Sequence, residues 1–226
     1  YMKHKRFFLL LTSLLCTLAM SLSLVPAVSA ASQPEPLIST NRYGYYNGNW
    51  AVPRSSYLYQ DGQDLVRVEY RKGSQVVNGQ TGQFLEWLTS TTLVVDTYDS
   101  HFQLQETREM EVELPIWGGF FAGEDYNFVV FGQENPSESD SAEVVRVVKY
   151  SKSWERLDQA SLRGANTTIP FDAGGFTCAE DGGLLYIRTS HEMYTSSDGL
   201  NHQASLSFTV RQEDMTISDV ASAVSN

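Results

Sequence analysis

Cysteine is nearly absent from this chain of 226 residues: only Cys16 and Cys178 are present. Cys16 falls in an N-terminal leader, so the mature chain would hold one thiol and no internal disulfide, and its stability must come from packing. Basic residues are also scarce, with 16 Lys and Arg against 27 Asp and Glu and a formal charge of −11. That imbalance argues against nucleic acid and anionic membrane surfaces as partners. No helical period persists anywhere in the mature sequence, which argues against a helical layer. Nucleophile-elbow (G-x-S-x-G), P-loop and G-x-G-x-x-G patterns are missing too, so those hydrolase, NTPase and dinucleotide-binding readings have no support. What remains is 42% hydrophobic residues, enough to build a packed core.

The N-terminus reads as an export signal. Met2-Lys3-His4-Lys5-Arg6 is a positive start, Phe7 to Val25 is apolar, Pro26 breaks the run, and Val28-Ser29-Ala30 offers small residues for cleavage. Residues 1–30 are therefore expected to be a signal peptide and the mature protein to be secreted or held at the cell surface, with no membrane contact after cleavage. The apolar run is long enough to span a bilayer, so a retained anchor is the alternative. Losing Lys3, Lys5 and Arg6 would leave 13 basic against 27 acidic residues, a net −14. Residues 31–54, opening with Ser32-Gln33-Pro34-Glu35-Pro36, read as a linker and N-terminal segment.

From residue 55 to 226 the pattern is all-β, and it repeats. Three segments place an acidic turn between two apolar strands: Tyr57 to Val68 around Asp61-Gly62, Phe120 to Phe131 around Glu124-Asp125, and Phe176 to Ile187 around Asp181-Gly182. Asp-Gly is a strong hairpin signal because glycine accepts the positive φ of the turn. Gly118-Gly119-Phe120 and Gly174-Gly175-Phe176 precede two of these turns at the same distance. A third strand follows each hairpin (Leu93 to Tyr98, Val144 to Tyr150, Ala204 to Val210), then an outer strand led by Phe102, Trp154 or Met215. Four-stranded antiparallel units recurring at this spacing suit β-propeller blades, which bury their faces only by stacking on one another. The boundaries would be about 55–113, 114–165 and 166–222.

In this architecture the chain resembles secreted bacterial β-propeller repeat proteins. The resemblance implies a partial propeller of about three blades and carries no functional residues with it. Closed propellers use four to eight blades. Either Asn41 to Trp50 and the tail improvise a fourth, or these are the first blades of a longer protein whose remaining blades are partners. In the second case Phe208 to Val220 is expected to face solvent as an aggregation-prone edge. A β-sandwich or a pair of Ig-like modules is the rival fold.

For chemistry, the segment Thr189 to Gln203 stands out, with His191, Glu192, Tyr194, Asp198, Asn201 and His202. Histidines beside carboxylates suit acid–base or ligand chemistry. The zinc-protease pattern His-Glu-x-x-His fails because position 195 is Thr. The bland alternative is a polar hairpin loop with the two histidines at its base. Trp117 and the cluster Tyr43, Tyr45, Tyr46 and Trp50 are candidate sugar-stacking rings, with inter-blade packing as the alternative. The loop Glu134 to Ser141 has oxygen donors but lacks calcium-loop spacing. Cys178 is expected to be a buried, unreactive thiol. No metal or cofactor is expected. These features point to a surface or extracellular binding or scaffold module whose ligand is a carbohydrate or a surface protein. The alternative is the front part of a glycan-processing or sulfotransferase-like propeller enzyme using His191, Glu192 and His202.

Overall fold

The computed structural model describes residues 54–71, 91–172 and 176–224, together with the backbone of three short strands before residue 88. The leader, most of the linker, the cluster from Tyr43 to Trp50 and the pair Gly174-Gly175 lie outside the described residues. In chain order the strands are β1 (Ile38–Thr40), β2 (Ser56–Asp61), β3 (Asp64–Arg71), β4 (Gln75–Val77), β5 (Phe84–Trp87), β6 (Thr92–Tyr98) and β7 (Leu104–Met110). There follow β8 (Ile116–Ala122), β9 (Asn127–Gly132), β10 (Glu143–Tyr150), β11 (Arg156–Arg163), β12 (Thr167–Pro170), β13 (Thr177–Asp181), β14 (Leu184–Thr195), β15 (Asn201–Arg211) and β16 (Ile217–Ala223). The described residues contain no helix, and so none long and apolar enough to cross a membrane.

The chain divides into two compact units, 1–38 with 77–84 and 39–76 with 85–226. The first falls almost wholly outside the described residues. Strands β1, β4 and β5 pair in that order as a small sheet. The second unit contains two four-stranded antiparallel sheets, β2-β3-β6-β7 and β8-β9-β10-β11, and a third sheet built on β13-β14-β15-β16. The third has one strand more than the repeat predicts: β14 is 12 residues long, and β12 pairs with its far half (Thr167↔Met193, Pro170↔His191) while β13 pairs with its near half. Among the described residues none of these three sheets exchanges strands with another.

The predicted hairpins form as read. Gly62 (φ 60°), and Gly182 and Gly183 (φ 57° and 77°), occupy two-residue turns, whereas the β8–β9 connection is a four-residue turn closed by Gly123 N–H donating to the Tyr126 carbonyl at 2.9 Å.

Side-chain alternation decides how the sheets stack. In β9 every residue is buried because both faces are covered: Val129 and Phe131 turn toward Val66, Val68, Leu93 and Val95, while Phe128 and Val130 turn toward Leu185, Ile187, Leu206 and Phe208. The middle sheet is therefore the shared wall of two apolar seams. Burial of about 25 cal/mol per Å² of apolar surface favours the stack.

The last sheet corrects one expectation. Phe208 and Val210 are 2% and 0% exposed, because they share a face with Leu206 and point into the second seam. The opposite face presents Tyr186, Arg188, Ser207 and Thr209, so the expected apolar surface from Phe208 to Val220 is reduced to Val220.

One structural repeat is invisible in the hairpin pattern. The residues leading the outer strands, Phe102, Trp154 and Met215, all adopt left-handed backbone (φ 61°, 64° and 53°). Two of the turns share their hydrogen bonds: Phe102 N–H donates to Asp99 O and Trp154 N–H to Ser151 O. A bulky L-residue in this region costs about 1–2 kcal/mol. Trp154 and Met215 offset it by filling the seams, at 8% and 4% exposure, whereas Phe102 is 72% exposed. Phe102→Asn is accordingly expected to raise stability by about 0.5–1 kcal/mol, since asparagine tolerates this conformation and little packing is lost. Urea unfolding checks this; a lower midpoint would show that Phe102 is held by contacts as its two counterparts are.

Candidate binding cleft

The structure does not gather the histidine-rich segment into one cluster. Most of it is strand, since β14 runs to Thr195 and β15 begins at Asn201, leaving only 196–200 as loop. His191 is fully buried opposite Ala204, a residue small enough to leave the ring room. The Thr167 hydroxyl donates to the Ala165 carbonyl at 3.0 Å, so it accepts from His191 Nδ1–H at 2.7 Å. That assignment leaves Nε2 to accept the Ser222 hydroxyl at 2.9 Å. Burial pushes the imidazole pKa down to about 4 and keeps the ring neutral. His202 instead lies near the surface, with Nε2 2.8 Å from Asp198 Oδ2. Glu192 accepts from the Thr168 hydroxyl at 3.0 Å. His191, Glu192 and His202 thus have separate partners.

Two loops that look independent in sequence do meet. Glu138 accepts from the Thr195 N–H (2.7 Å) and hydroxyl (2.6 Å), and more weakly from Asn201 Nδ2. Those donors hold its carboxyl below the usual range. Buried Asn135 donates to the Tyr194 hydroxyl at 3.1 Å, and Tyr194 donates to Asp140 at 3.4 Å. Tyr194, Asn201 and the acidic loop therefore satisfy one another. Among the described residues no group of three His, Cys, Asp or Glu side chains could hold a metal ion.

Trp117 is also corrected. It is 5% exposed, its indole N–H donates to the Arg54 carbonyl at 2.7 Å, and its ring stacks on Tyr70 at 5.0 Å. Tyr57 and Phe131 meet it edge-on, which leaves no face for a sugar.

The structure assembles a different place. The first strand of each predicted repeat, β2, β8 and β13, is an edge strand, and residues on or beside the three line one cleft of about 640 Å³. Its walls carry Tyr57 and Tyr59 from β2, Phe120 and Phe121 from β8, and Phe176 and Thr177 at the start of β13. The close approach depends on Gly119: a Cβ there would sit 2.6 Å from the Phe176 ring and 2.9 Å from the Tyr57 hydroxyl. Gly118 similarly faces the Phe171 ring at 2.5 Å. Of the glycine pair noticed in the sequence, Gly119 is thus a packing requirement of the cleft wall and Gly118 one of the buried seam that holds Phe171. Burial raises the pKa of both tyrosines, Tyr59 to about 12. Cys178 also lines the cleft; burial, and then the Glu180 carboxylate, push its thiol up to about 12. It stays protonated at neutral pH and is no nucleophile there.

The cleft offers flat apolar rings, phenol hydroxyls, a threonine hydroxyl, one guanidinium and three strand edges with backbone donors and acceptors. Among the described residues its lining holds no histidine and no carboxylate. Sequence reasoning missed Arg54, Tyr57, Tyr59, Phe121 and Phe176. The available signal was their place in the repeat, since first strands of successive stacked sheets are the ones that can share a wall.

No family model matches the chain, and no curated protein matches it in sequence. Among solved structures, two mutant forms of the apocarotenoid oxygenase of Synechocystis resemble it at 10% and 11% identity, with TM-scores of 0.41 and 0.45. The matches cover 70% and 75% of this chain but only 35% and 38% of the oxygenase chains, so this chain spans little more than a third of the length of those structures.

Proposed function

We propose that the three sheets are successive blades of a β-propeller and that the protein is an exported binding module for saccharides, acting without a covalent step. The observation that carries this reading is the convergence of three first strands on one aromatic-lined cleft. Inner strands of adjacent blades meet at the axis in that architecture, and ligand sites favour such concave meeting points. Aromatic rings pack against the apolar faces of pyranoses, while strand edges and hydroxyls serve their hydroxyl groups. A net charge of −11 and the leader at residues 1–30 fit an extracellular setting for such a ligand.

Calorimetric titration with neutral and acidic oligosaccharides tests the proposal. Thr177→Trp places a bulky ring at an exposed cleft position and is expected to weaken binding about tenfold with an unchanged unfolding midpoint. Absence of saccharide binding, or an affinity indifferent to Thr177→Trp, would overturn it.

A further inference from the structure

The ionic content of the cleft runs against that of the chain. The protein carries a net −11, yet among the described residues the cleft lining contains one ionic side chain, Arg54, and no carboxylate. Arg54 forms no ion pair with any described residue. Its backbone is pinned by the Trp117 indole on its carbonyl, and its guanidinium lies 5.5 Å from the Tyr57 ring centroid. The side chain is therefore positioned over the aromatic wall, and no described residue accepts a hydrogen bond from its guanidinium. We infer that the cleft selects acidic saccharides: a hexuronate unit lies against the aromatic lining and its carboxylate accepts from Arg54.

This inference rests on the saccharide-binding reading above and adds the charge of the ligand. Two features favour a sugar acid over an alkyl or aryl carboxylate. The cleft is open, with Leu58 at its wall 66% exposed, so an apolar tail would stay partly wet. Its three strand edges also present backbone N–H and C=O groups that a hydroxyl-rich ring can satisfy and a hydrocarbon cannot. Charge complementarity adds discrimination, since a planar guanidinium matches a carboxylate with two parallel hydrogen bonds and a neutral hydroxymethyl group gains neither that geometry nor the charge.

The test is calorimetric titration of the full chain with trigalacturonate and with the neutral galactose trimer of the same linkage. Trigalacturonate is expected to bind about tenfold more tightly, and raising the salt concentration should narrow that gap. Arg54→Gln should abolish the preference, so that trigalacturonate and the neutral trimer bind this variant with equal affinity. Arg54→Lys should retain part of the preference, because the charge survives without the fork. Equal affinities in the unmodified protein, or a preference that persists in Arg54→Gln, would overturn acidic selectivity and leave saccharide binding standing. Failure of both trimers to bind would overturn the saccharide reading itself, and this inference with it.

Discussion

Trp154→Ala is expected to lower the stability of the stacked sheets by about 3–5 kcal/mol, the range for truncating a buried large aromatic. The indole is 8% exposed and stacks on Phe120 at 5.6 Å, with Tyr150 tilted against it at 5.9 Å. It closes the seam between the first and middle sheets beside Val66 and Val95. Arg108 of the first sheet donates to the carbonyl of neighbouring Ser153 at 2.8 Å, so the turn that carries Trp154 is itself a contact between sheets. Alanine keeps the cost of the left-handed backbone, φ 64°, and removes the packing that offsets it. Trp154→Gly should recover about 1 kcal/mol of the loss by relieving that strain. Urea unfolding of the two variants separates the contributions. A loss below about 1 kcal/mol for Trp154→Ala would mean that the seam does not depend on this plug.

Acidification should produce a second large loss, traceable to His191. Burial depresses its folded-state pKa to about 4 from the ordinary 6.5. Above pH 6.5 both folded and unfolded chains carry a neutral imidazole, and the stability contribution is fully present. Between pH 6.5 and about 4 the unfolded chain binds the proton and the folded one does not, so stability falls as pH falls. Below pH 4 both states are protonated and the loss stops growing. At about 1.4 kcal/mol per pH unit, the total comes to about 3 kcal/mol. In structural terms, protonation removes the Nε2 lone pair that accepts from Ser222, and so weakens the side-chain link from β14 to the last strand, β16. Unfolding free energies measured from pH 4 to pH 7 for the unmodified protein and for His191→Gln test this. The slope assigned to His191 should vanish in the variant while any slope from carboxylates such as Glu113 and Glu143 remains; identical slopes would refute the assignment.

Much of the fold was legible along the chain. Turn residues and period-2 alternation located the hairpins at Asp61-Gly62 and Asp181-Gly182, the third strands, and the outer strands behind Phe102, Trp154 and Met215, because these signals are local. Strand β12 was not legible, since four residues paired with the far half of a long strand leave no periodicity of their own. The site was legible least. His191 and His202 lie close in sequence, and proximity along the chain made them look like one cluster, but strand pairing fixes which face each side chain takes. Trp117 and Tyr57 both read as aromatic residues near a turn, yet one is sealed between sheets and the other borders an open cleft.

The sequence by itself determined that this is an antiparallel β chain of acidic composition, because strand periodicity, turn chemistry and composition act over a few residues. Only the tertiary structure decided which faces became seams, that the glycine pair at 118–119 lets neighbouring rings close in, and that Arg54 stands among aromatics from two strands and from the residue that leads into a third. Those outcomes depend on bringing together residues that are up to 124 positions apart along the chain. Burial of apolar faces brings such residues together, and no local pattern encodes their meeting.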